Sequence, residues 1–102
     1  MNFTDQFLKT IESARSYNLT TLNNIATLVY LSKRDNGAYP TAIADAVKTS
    51  TASMTQIIDK LEKGGLVERE FDPHDRRTRR VLITDKGLES VAIMFPIETV
   101  TP

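Results

Sequence analysis

Between Asp72 and Arg80 the chain sets four arginines, Arg76, Arg77, Arg79 and Arg80, together with His74 against two aspartates. Guanidinium groups this close repel one another unless an anion offsets them. The phosphates of a nucleic acid are such anions, and arginine entering a narrow minor groove is a recurrent arrangement. Asp75 stands two residues before Arg77, a spacing at which a carboxylate can orient the guanidinium from within the chain. His74 fits a loop residue with a possible phosphate contact. A plainer account of the run is a solvated loop whose charge discourages an edge strand from pairing with other chains.

A second set of polar residues lies earlier, in STASMTQIIDK. Ser50, Thr51, Ser53 and Thr55 are small hydroxyl residues at the start of a helical pattern, where free N–H groups and the helix dipole attract anions. Gln56 has the paired donor and acceptor that read adenine, and serine or threonine can meet several base edges. Lys60 adds a cation one turn further on. Read alone, these residues are equally helix caps and solvated side chains. Followed by a basic hairpin, they form half of a nucleic-acid surface.

Other chemistry finds little support. The single histidine has no second ligand nearby, so no metal site is expected. No histidine–nucleophile pairing, phosphate-cradling glycine loop or converging carboxylate cluster is visible, and neither an enzyme nor a cofactor is expected. Asp59 with Glu62, and Glu68 with Glu70, read as solvated charges. Cysteine is absent, which removes thiol chemistry and cysteine-based zinc binding and fits a reducing cytoplasm. No apolar run approaches a membrane span and no signal-peptide layout opens the chain. The formal net charge of zero over 102 residues is unusual for a nucleic-acid binder, but the positive charge is concentrated in the arginine loop.

These residues need elements to hold them. Apolar spacing predicts a first helix from about Phe3 to Tyr17, capped by Thr4, with Phe7, Leu8, Ile11 and Ala14 on one stripe. Thr20 or Thr21 opens a second helix to about Lys33, apolar around most of its circumference and therefore central to the core. Asp35-Asn36-Gly37 is a stop. A short helix then runs from Thr41 to about Val47 behind Pro40. A longer one follows to about Lys63, capped by Ser50 or Thr51, with Met54, Ile57, Ile58 and Leu61 as its buried stripe. Gly64-Gly65 ends it. Alternation from Leu66 to Phe71 predicts a strand, and Val81 to Thr84 its partner, with 72–80 as the loop between. Asp85 caps a last helix to about Met94, before Pro96 and a loose tail.

The predicted class is mostly α with a small β-hairpin: a winged helix-turn-helix of about five helices plus a two- or three-stranded antiparallel wing. One domain over 1–102 is expected. Residues 20–87 form its binding core, 1–19 an N-terminal helix suited to dimerisation, and 88–102 a short C-terminal helix and tail.

From Pro40 to Gly87 the chain resembles the MarR-type winged-helix transcription regulators. The match lies in IADAV, in SMTQIIDKLEKGGLVER and above all in DPHDRRTRRVLITDKG, with Asp75-x-Arg77, Leu82-x-Thr84 and a Lys-Gly helix start. The resemblance implies a homodimer that binds pseudo-palindromic double-stranded DNA, usually as a repressor. Residues 50–60 would be the recognition helix, and Arg77 the wing arginine in the minor groove with Asp75 bracing it. Family members typically continue after the wing in a long dimer-forming helix. Here Pro96 interrupts that segment, so the expected dimer surface is Phe3, Phe7, Leu8 and Ile11 with the stripe Leu88–Phe95. Some members also hold a small-molecule effector between the DNA-binding and dimer regions; this sequence assigns none. A competing expectation, favoured by the zero net charge, is a winged-helix module that binds another protein.

Overall fold

The computed structural model describes residues 2–75 and 77–96. Arg76 and the tail 97–102, for which loose packing was expected, lie outside the described residues. The described elements run α1 (Phe3–Ser16), α2 (Leu22–Ser32), α3 (Pro40–Ala46), α4 (Thr51–Lys63), β1 (Val67–Phe71), β2 (Arg79–Ile83) and α5 (Asp85–Met94). Five helices with one antiparallel two-stranded sheet make a winged helix-turn-helix.

Local chemistry sets the helix boundaries. Side-chain oxygens of Asn2, Thr21, Ser50 and Thr84 accept from the N–H three residues on and cap α1, α2, α4 and α5, each filling a donor the helix itself leaves open. Thr4 is therefore inside α1, and Asp85 is the first residue of α5 rather than its cap. Thr84 takes that place because its hydroxyl also donates to the Gly65 carbonyl at 2.6 Å. Three helices close alike. Leu19, Thr49 and Leu66 donate back to Ala14, Ala44 and Leu61, behind Asn18, Lys48 and Gly65 at positive φ, the left-handed closure that reverses the chain tightly.

Leu28, Leu31, Ile43, Met54, Ile58, Leu61, Val67, Val81 and Met94 form the heart of the core. The stripe expected on α4 is thus mostly buried, with Ile57 at its edge. Two apolar stripes are only partly inward. Leu22, read as part of an apolar α2, stands at the open end of that helix and is 84% exposed. On α1 only Ala14 is buried, while Phe3, Phe7 and Leu8 face outward, the two rings stacked 6.0 Å apart.

β1 and β2 pair from Val67↔Ile83 to Phe71↔Arg79. The partner strand therefore begins at Arg79, not Val81, and two of the four arginines belong to the sheet rather than the loop. Ala38 makes a one-residue bridge to Val81, donating at 3.0 Å and accepting at 2.8 Å. The turn before it needs Gly37: at φ 72° a Cβ there would lie 2.4 Å from the Val81 carbonyl oxygen.

Candidate nucleic-acid interface

With 3.6 residues per turn, burial of Met54, Ile58 and Leu61 turns Ala52, Gln56, Asp59 and Lys63 outward, all exposed. The two flanks of α4 have different neighbours. On one flank Asp59 and Glu62 hold Arg69 of β1, with contacts of 2.6 and 2.5 Å. The other flank carries Ser53, Gln56 and Lys60 along a groove shared with the start of α2. The acidic pair read as merely solvated is thus a clamp. It fixes α4 against the wing strand, and Arg69 offsets two carboxylates that would otherwise oppose an approaching polyanion.

The hydroxyl residues divide by role. The Ser50 oxygen accepts from the Ser53 N–H, and its hydroxyl donates to Ser53 Oγ, both at 3.0 Å, so Ser50 is engaged in capping. Thr55 donates to the Thr51 carbonyl at 3.1 Å, leaving its oxygen as an acceptor. Thr51, Ser53, Gln56 and Lys60 are exposed. No acidic residue sits in the first turn of α2, α3 or α4, whereas α1 and α5 carry Asp5 and Asp85 there. The three helix starts of the helix-turn-helix region keep their positive end uncovered.

In the wing, Asp75 organises the loop. Its Oδ1 accepts from the Arg77 backbone N–H at 3.0 Å and from Nε at 3.2 Å, and its Oδ2 from the Thr78 hydroxyl at 3.2 Å. The Arg77 bonds, with a smaller push from Thr78, hold the Asp75 carboxyl below its ordinary 3.8. The Arg77 side chain remains 91% exposed, an orientable cation at the edge of the hairpin. Arg79 lies over the Phe71 ring at 4.8 Å, a cation–π contact that keeps the guanidinium on the outer face. Arg80 turns the other way: its Nη1 donates to the Asn36 carbonyl at 2.9 Å and its Nε is buried without a partner. His74 is exposed, and its N–H donates to Asp72 Oδ1 at 2.7 Å.

Several positioning residues escaped the reading of the sequence. Asp72 is buried, and its Oδ2 accepts from the Tyr39 hydroxyl, joining the wing root to the start of α3. Arg69 and Asn36 act similarly, through the clamp on α4 and the seat for Arg80. None belongs to a local pattern, although Arg69 carried a signal as the one cation on the inward-facing register of β1. Among the described residues no group of three or more histidine, cysteine or acidic side chains could hold a metal, and no helix is long and apolar enough to cross a membrane.

Comparison with known proteins places this geometry. The model of the MarR family matches residues 17–78. The HTH-type transcriptional regulator YkoM of Bacillus subtilis is 43% identical over 47 residues, 46% of this chain and 30% of that protein. The transcriptional repressor MprA of Escherichia coli is 31% identical over 72 residues, 71% of this chain and 41% of that protein. The matched parts thus span less than half the length of these relatives. Among solved structures, a complex of Staphylococcus aureus MepR with DNA superposes with a TM-score of 0.80 at 22% identity, covering 93% of this chain and 80% of that one, a likeness of fold. By the family model and by these shared elements, the chain belongs to the MarR family.

Proposed function

We propose that this protein is a sequence-specific DNA-binding transcription regulator of repressor type, acting in the cytoplasm as a homodimer. The observation that carries this reading is the pairing of an open, polar α4 face around Gln56 with a braced, exposed Arg77 on the adjoining hairpin. In this mechanism α4 enters the major groove, where Gln56 reads a base edge and Thr51, Ser53 and Thr55 add contacts to bases or phosphates. Lys60 and the start of α4 meet the backbone. Arg77, oriented by Asp75, enters the flanking minor groove, with Arg76, Arg79 and His74 adding phosphate contacts. Arg80, seated on Asn36, positions the wing rather than touching DNA. Repression follows by occlusion: a promoter covered in both grooves excludes polymerase.

The repressor named among the relatives and the DNA-bound MepR fold support this reading. The outer face of α1 supports the dimer. Phe3, Phe7 and Leu8 are exposed there, with Leu88 and Ile93 exposed on α5, the helix α1 packs against. Apolar surface of this kind is commonly covered by a partner, and two linked half-sites raise affinity without any new contact. In domain terms, this reading gives dimerisation to 1–19, DNA binding to 20–87 and the rest of the dimer surface to α5.

Size-exclusion chromatography with light scattering, alone and with a pool of short duplexes at low salt, tests the reading. A dimer that moves onto duplex with two chains per DNA is expected. A monomer that ignores duplex overturns it and favours a module that binds another protein.

A further inference from the structure

The groove between the start of α2 and α4 lies on the flank of α4 that does not carry the Arg69 clamp. It is lined by Thr21, Asn23 and Asn24 from α2 and by Ser53, Gln56 and Lys60 from α4, and it is open and about 330 Å³. A water occupies roughly 30 Å³ of liquid, so the space accepts a group far larger than one water. No lining residue is acidic.

Its floor is unusual. Asn24 is 4% exposed, yet among the described residues its side-chain amide has no hydrogen-bond partner. Its backbone N–H is satisfied by the Thr21 hydroxyl at 3.2 Å. Among the described residues Arg80 Nε is the one side-chain polar atom both sealed and unpaired, so the Asn24 amide keeps its access through the groove that Asn24 lines. Beside it, Asn23 lines the same groove, and its N–H, the second of α2, has no acceptor within the helix. Thr21 and Asn24 occupy the two ends of a capping box, where an acidic residue at the second position would reach back and cover the helix start. A neutral amide leaves that end positive. Lys60 supplies a full charge across the groove.

An open helix N–H, an amide free of protein partners and an ammonium around a space without carboxylates are the donor set of an oxyanion. We infer that this groove seats a phosphate group, and that in the DNA complex a backbone phosphate fills it, on the side of α4 away from the wing. The second half of the inference rests on the DNA-binding reading. The recognition helix is then held from both flanks, by Arg77 in one groove wall and by the α2 seat on the other.

The test has two arms. In the first, the protein is titrated with inorganic phosphate and followed by NMR. The backbone amide signal of Asn23 and the Asn24 side-chain amide are expected to shift saturably. Asn24→Asp should abolish this response without lowering the melting temperature, because an acid at this helical position suits the dipole. Lys60→Ala should weaken it. Absence of a saturable shift in the parent overturns the site, as does an undiminished response in both variants.

In the second arm, duplex replaces phosphate. The same signals are expected to move, with affinity about tenfold lower for Asn24→Asp, since it exchanges a donor for a charge-repelling acceptor. The logarithmic salt slope should be shallower by about 0.9 for Lys60→Ala. A duplex that binds and still depends on Arg77, yet leaves these signals unmoved, makes the site one for free phosphate and overturns the backbone assignment. A parent that binds no duplex contradicts the DNA reading and the backbone assignment together, and the phosphate arm alone then decides the oxyanion site.

Discussion

The Tyr39 hydroxyl donates to Asp72 Oδ2, joining the residue before α3 to the residue where the wing leaves the sheet. Asp72 Oδ1 meanwhile accepts the His74 N–H at 2.7 Å. One buried carboxylate thus sets the root of the wing against the helix-turn-helix. Tyr39→Phe removes the donor and leaves a buried oxygen unpaired, a loss of about 1–2 kcal/mol. Chemical denaturation should report that loss, and duplex affinity should fall with it because the wing is no longer held in place. A variant as stable as the parent would contradict the anchoring role.

Arg69 performs a related service for α4 by holding Asp59 and Glu62. Arg69→Met keeps much of the side-chain stem while freeing both carboxylates. The clamp is partly exposed, so its stability contribution is modest, about 1 kcal/mol. The effect on DNA should be larger than on stability, since two unpaired negative charges then lie beside the phosphate backbone. Comparing melting temperature with duplex affinity checks this, and equal proportional losses would contradict it.

Gly87 sits in the first turn of α5 where a Cβ would lie 2.2 Å from the Leu66 carbonyl oxygen and 2.5 Å from Ile83 Cγ1. Gly87→Ala must push α5 off the base of the hairpin, at about 1–3 kcal/mol. For a chain of this size, calorimetry should show a fall of several degrees in Tm. An unchanged or higher Tm, as helix propensity alone would give, would contradict the packing.

Asp75 and Arg77 make the wing pair pH-tolerant. The folded carboxyl lies below its ordinary 3.8 because it accepts from Arg77. Its contribution is therefore complete above the unfolded value and is lost only as pH falls through the lower folded one. NMR titration should place the Asp75 midpoint below 3.8, with the pair intact at neutral pH. A midpoint at or above that value would contradict the brace. Arg77→Ala should weaken duplex binding and make its salt dependence shallower, since a cation in the minor groove also releases counterions.

The parts of this fold that were readable in the sequence are those set by near neighbours. The Ser50 cap, the Gly65 closure and the Met54–Leu61 stripe each depend on residues within about two turns. The wing pair was readable for the same reason, since Asp75 and Arg77 are two residues apart. The contacts that aim these groups were not. Arg80 meets Asn36 across 44 residues and Tyr39 meets Asp72 across 33, and no local pattern encodes such closures. The charge of Arg79 and Arg80 hides the strand start, which lies two residues before Val81. The exposure of Leu22 is illegible in the same way, because apolar content does not say which end of a helix emerges from the core.

On the proposed reading, two copies of this chain share one inverted DNA site. Selection of bound sequences from a random duplex pool, read by sequencing, tests it most directly. Two inverted half-sites are expected, centred one helical turn, roughly 10–10.5 base pairs, apart or a multiple of that spacing, with the preferred bases altered by Gln56→Ala. Retention of no duplex, or retention without an enriched inverted repeat, would contradict it.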